Sequence, residues 1–136
     1  MHPELHLKIA GALQLLLAFA HVDFPRRFGW REELQRISLL GRQVFYVHML
    51  FVCVVLVMFG ALSLFATDAL LEPTALARLV NGGIAAFWAL RLYCQFFVYD
   101  RRLWRGQRGR TAMHVVFAVL WSYFVAVYAA ATAAVW

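Results

Sequence analysis

The sequence predicts an all-α polytopic membrane protein: an antiparallel four-transmembrane-helix bundle with a short amphipathic interfacial helix in the first cytoplasmic loop. Three observations predict it. Hydrophobic residues make up 64% of the 136-residue chain and charged residues 15%, against about 25% charged in a soluble domain; the mean hydropathy is +0.70. Four apolar runs, approximately 5–22, 43–66, 75–99 and 111–136, are long enough to cross a bilayer, which takes roughly 20 residues. Ten of the 13 lysines and arginines crowd into two segments between runs: Arg26, Arg27, Arg31, Arg36 and Arg42, then Arg101, Arg102, Arg105, Arg108 and Arg110.

The third observation orients the chain. Short loops rich in arginine stay on the cytoplasmic side, so both termini and the acidic loop around Asp68 and Glu72 are expected on the opposite side. The expected location is an integral membrane protein, in the inner membrane of a bacterial cell. The net charge of +6 thus belongs to topology, and nucleic acid is not an expected partner. The chain reads as one domain, 1–136.

The first run resembles the apolar core of a secretory signal, with Ala18-Phe19-Ala20 as a cleavage site. Glu4 offsets Lys8, however, and cleavage would export an arginine-rich loop. It reads as a membrane helix. Gln14 and His21, seven residues apart, lie about 20° apart around it, beside the small residues Ala10, Gly11 and Ala18, a face suited to helix contact. Phe24-Pro25 is expected to end this helix, since proline biases the residue before it away from helical conformation.

Between the first two runs, Trp30, Leu34, Ile37 and Leu40 recur at helical spacing, with Arg31, Glu32, Gln35 and Arg36 elsewhere on the wheel. That pattern predicts the interfacial helix, with Gly41 marking its break from the second span. The second span carries His48 near its start and is otherwise uniformly apolar. The short TDALLEPT loop makes the second and third spans antiparallel neighbours.

The third span begins with small residues, NGGIAA, and ends bulky and polar. Asn81, Trp88 and Gln95 follow each other at sevens, with Arg91 and Tyr99 flanking that face. The fourth span mirrors it, with His114, Trp121 and Tyr128 at sevens and then AAATAA. Small residues at the outer end pack tightly, so a cavity is expected to open toward the cytoplasmic leaflet. Trp104 and Trp136 stand where interfacial aromatic anchors are expected.

The candidate chemistry comes from convergence of depths. His21, His48 and His114 fall at the cytoplasmic ends of three spans, with Asp100 ending the other. Imidazoles from separate helices plus a carboxylate suit iron, zinc or copper, and two facing imidazoles suit haem b. Arg91 lies about 13 Å inside Asp100 by helical rise. A charge at bilayer depth costs at least ~2.5 kcal/mol unless paired, hydrated or snorkelling. Arg91, Gln95 and Tyr99 are therefore expected to hold an anionic or hydrophobic small molecule: a lipid phosphate, a fatty carboxylate or a haem propionate.

No HxxxH, HExxH or ExxH string, nucleophile elbow, phosphate loop or CxxCH occurs, and whether the chain catalyses a reaction is left open. Cys53 and Cys94 lie inside runs and read as packing residues. The first expectation is a metal or haem site serving redox or lipid-linked chemistry. The alternatives are a non-catalytic subunit or assembly factor packing its polar face on partner helices or a second copy, and a lipid- or quinone-binding or transport protein.

Overall fold

The computed structural model describes residues 2–27, 29–103 and 106–135, with the backbone alone of Arg101. The described residues are helical, with no strand. Six α-helices follow in order: α1 Pro3–Arg27, α2 Trp30–Leu34, α3 Leu39–Phe65, α4 Thr67–Leu71, α5 Ala75–Phe97 and α6 Arg108–Ala134, with a 3₁₀ turn at Arg101–Leu103. Three of them, α1, α3 and α6, are long and apolar enough to cross a membrane. α5 has 23 residues, about 35 Å of helix, but carries Arg78, Asn81, Arg91 and Gln95 and does not stand among the three. Large apolar side chains lie exposed along α3, among them Leu50, Phe51, Val54, Val57 and Met58. In water that exposure is costly; in a bilayer it is the lipid-facing side.

Local chemistry moves several boundaries. Pro25 sits inside α1 and does not end it. In the last turn proline forfeits only its bond to the His21 carbonyl, and the chain turns after Arg27, where Gly29 adopts φ +67°, a conformation glycine reaches without Cβ strain. The amphipathic stretch forms a helix only over Trp30–Leu34, because Ser38 caps the next one: its hydroxyl accepts from the Gly41 amide at 3.1 Å. That cap starts α3 at Leu39, so Gly41 lies within α3 rather than at a break. The loop before α5 contains a helix of its own, α4. Thr74 then caps α5, its hydroxyl accepting from the Ala77 amide at 3.1 Å. The expected anchors Trp104 and Trp136, and Arg105, fall outside the described residues.

The chain divides into two compact units, residues 8–66 and residues 1–7 with 67–136. In the first, α1 and α3 form a helical hairpin in backbone contact. A Cβ built on Gly60 would sit 2.9 Å from the Gly11 carbonyl oxygen, and one on Gly11 would sit 2.9 Å from the Gly60 carbonyl. Further along, the Cys53 thiol points at the Ala18 carbonyl, 3.9 Å away. Toward the loop an aromatic chain closes the hairpin, His21 on Phe24, Phe24 on Trp30 and Trp30 on Phe45, with centroids 4.6, 6.4 and 5.4 Å apart.

The second unit is built on α5 and α6. Asn81, Trp88 and Gln95 are all buried, as are Trp121 and Tyr128 on α6, so the seven-residue spacing marks the core face of both helices. Trp88 stacks on Trp121 at 4.8 Å and 18°, and Phe124 closes against Trp88 at 4.5 Å. At the small-residue end a Cβ built on Gly82 would sit 3.8 Å from the Thr132 methyl group, an ordinary contact. Asn81 donates to the Leu70 carbonyl at 2.7 Å, tying α4 onto α5. Midway along α6, the Tyr123 hydroxyl lies 3.1 Å from His6 Nδ1.

Candidate functional site

The arginine-bearing end of the α5–α6 pair assembles a connected polar group. Arg91 and Gln95 are one turn apart on α5, and the Arg91 guanidinium donates to Gln95 Oε1 at 3.2 Å. Gln95, 3% exposed, is 2.8 Å from His114 Nδ1 on α6 through its Nε2. The direction of each bond follows from the partners. Arginine only donates, so the amide must present its oxygen to Arg91 and its NH₂ to His114. His114 Nδ1 then accepts, and the ring proton of neutral His114 sits on Nε2. One cation thereby sets the orientation of an amide and the tautomer of a histidine on another helix.

Aromatic faces hold the guanidinium in place. Its central carbon lies 5.1 Å from the centroid of Trp121 and 5.6 Å from that of Tyr99, within the range of cation–π attraction, roughly 0.5–2 kcal/mol each. Trp121 is itself fixed between Phe117 at 5.4 Å and Trp88. Phe96 meets His114 edge-on at 5.9 Å. Among the described residues of this unit no carboxylate pairs with Arg91. The buried indole nitrogens of Trp88 and Trp121 also find no acceptor there. The site is rich in donors and positive charge, and an acceptor-rich group would complete it.

Asp100, at the end of α5, serves the turn that follows. Its carboxylate accepts from the Arg102 amide at 2.8 Å and lies 3.7 Å from the Arg102 guanidinium, an exposed pair worth little by itself. A shallow depression lies nearby at the start of α6, lined by Gly106, Gln107, Arg108, Thr111 and Ala112.

His21 and His48 belong to the α1–α3 hairpin, at its loop end. Each donates from Nδ1 to the carbonyl one turn earlier on its own helix, Leu17 at 2.7 Å and Val44 at 2.8 Å. A carbonyl can only accept, so both rings carry their proton on Nδ1 when neutral, leaving the lone pair on Nε2. Asp23, on the last turns of α1, pairs with Arg27 at 3.2 Å. Among the described residues no group of three or more His, Cys, Asp and Glu is arranged to hold a metal ion.

Of the residues marked in the sequence, Arg91, Gln95, Tyr99 and His114 come together. Trp121, on the same predicted face as His114, joins them; the contribution of Phe117 and the Gln95–His114 bond are not among the predictions from the sequence. The signal for that bond was available: the two are 19 residues apart, across a turn from the end of one helix to the start of the next. No protein-family model matches the chain, and comparison with curated proteins and with solved structures finds no match.

Proposed function

We propose that this protein is an integral membrane protein that binds an anionic amphiphile, a lipid phosphate or a fatty carboxylate, through Arg91 at the arginine-bearing end of the α5–α6 pair. In this reading α5 is a fourth span, and the arginine-rich segments after α1 and α5 lie in the cytoplasm. The observation that carries it is a guanidinium held against two aromatic faces, with one described hydrogen bond, to Gln95, and no carboxylate paired with it among the described residues of its unit. Arginine's remaining N–H groups suit the fork of a carboxylate or phosphate, and the neighbouring aromatic surface suits acyl chains.

The test is the ligand content of gently purified protein, read by native mass spectrometry. Arg91→Lys keeps the charge but loses the planar fork and should retain at least tenfold less of the co-purified amphiphile while running as the folded species. Full retention in the lysine variant overturns the proposal. Sidedness is tested separately. Cysteines placed at Arg36 and Gln107 should be shielded from an impermeant thiol reagent outside intact cells, and one at Asp68 should react; the reverse pattern inverts the topology.

A second reading, a metal ion or haem on His21 and His48, is favoured by their shared tautomer. An Nδ1–H bound to a carbonyl leaves Nε2 as the ligating atom and raises its basicity. His114, with its proton on Nε2, is by contrast set to donate. The same purified protein, assayed for iron, zinc and copper and for a Soret band, decides the matter: a colourless, metal-free preparation removes this reading.

A further inference from the structure

We infer that the Arg91 site takes up a proton together with its anionic ligand, with His114 as the proton acceptor and Gln95 as the switch. The inference rests on the ligand reading above. It follows from a conflict built into the chain Arg91–Gln95–His114. With His114 neutral, both bonds of the chain pair a donor with an acceptor: Arg91 gives to Gln95 Oε1, and Gln95 Nε2 gives to His114 Nδ1.

Protonation ends that agreement. The proton from solvent adds at Nδ1, the one ring nitrogen holding a lone pair, and both ring nitrogens become donors. Nδ1–H then faces the amide NH₂, donor against donor. Gln95 is the only member of the chain able to change roles, and it does so by turning its carboxamide to place Oε1 on His114. That turn carries Nε2 toward Arg91, where it again opposes a donor. The guanidinium loses its partner on α5 and is released to an incoming anion.

Charge acts in the same direction. Among the described residues, Arg91 on α5 and Arg110, one turn before His114 on α6, are cations along this face, and Asp100 at the end of α5 is engaged with Arg102. The anion compensates the positive charge that His114 gains, so each event favours the other, as linkage requires. Ligand affinity should therefore rise as pH falls. The limiting slope for one proton is tenfold per pH unit.

The experiment uses the full chain in nanodiscs of zwitterionic lipid and labelled phosphatidylglycerol, whose phosphodiester keeps a single charge between pH 5 and pH 8. Wild type should bind at least tenfold more tightly at pH 5 than at pH 8. Gln95→Leu removes the switch and leaves Arg91 permanently released. It should bind tightly at both pH values, with the difference reduced to about threefold or less, the remainder reflecting the added charge alone. Full wild-type pH dependence in Gln95→Leu overturns the switch, because the gain is then simple electrostatics. Arg91-dependent binding that ignores pH in wild type overturns the coupling and leaves the ligand reading standing. No Arg91-dependent binding at any pH overturns both. The ring ¹⁵N shifts of His114 give an independent check without ligand: at high pH the proton should reside on Nε2, and an Nδ1–H tautomer removes the premise.

Discussion

Gly60→Leu should prevent the α1–α3 hairpin from closing, leaving protein that aggregates on extraction or elutes as an expanded species. A single Cβ at this position already falls 2.8 Å from Leu15 Cδ2 and 2.9 Å from the Gly11 carbonyl oxygen. The leucine side chain has room to give, but the backbone oxygen does not. Ordinary overpacking costs about 1–3 kcal/mol, and a full isobutyl group against backbone should exceed that range. Gly60→Ala should fall within it, read as a lowered midpoint for loss of the monodisperse species on heating in detergent. Gly83, with nothing within 4 Å of its would-be Cβ, provides the control. Gly83→Ala should be neutral or stabilising by up to ~1 kcal/mol, since alanine loses less backbone entropy in a helix. Equal behaviour of Gly60→Ala and Gly83→Ala would show that the close approach carries no energy.

The second large effect is expected at Trp88, which is 2% exposed and packs on both Trp121 and Phe124. Trp88→Ala removes a large buried ring and leaves a cavity, a change costing roughly 3–5 kcal/mol in known cores. It also undermines Trp121, the ring beneath Arg91, so anion retention should fall with stability. Trp88→Phe separates the two causes. It keeps most of the aromatic surface and deletes an indole N–H that lacks an acceptor, which is inexpensive because no hydrogen bond is lost. Thermal midpoints should rank wild type close to Trp88→Phe and both well above Trp88→Ala. A phenylalanine variant as unstable as the alanine variant would mean that the indole nitrogen has a partner of its own.

The faces of α5 and α6 were legible because a period of seven is two turns of helix, and Asn81, Trp88, Gln95, Trp121 and Tyr128 all repeat at that interval. The cation at Arg91 was legible from cost alone, since an unpaired charge in an apolar run demands an explanation. Harder to read were features depending on one atom or one pairing. Ser38 resembles any loop serine until its hydroxyl is seen accepting from Gly41 and starting α3. Gly60 sits in an apolar stretch that seemed uniform, and only the opposing Gly11 gives it meaning. The tautomers of His21, His48 and His114 are set by which neighbour each ring meets, and spacing along one helix does not encode that. Depth grouped the three histidines together; hydrogen-bond direction divides them into two that accept at Nε2 and one that donates.

The modest apolar character of α5 bears on how the chain is made. A nascent segment carrying Arg78, Asn81, Arg91 and Gln95 partitions poorly into lipid by itself, since an arginine at the centre of a span opposes insertion by about 2.5–3.5 kcal/mol and one nearer an end by less. α6, one of the three helices apolar enough to span unaided, emerges from the ribosome only after it. As the fourth span proposed here, α5 would enter the bilayer together with α6 as a hairpin, its polar face covered before it meets acyl chains. Biosynthesis would then complete the ligand site in the same step that commits α5 to the membrane, and a chain truncated before α6 would lose both.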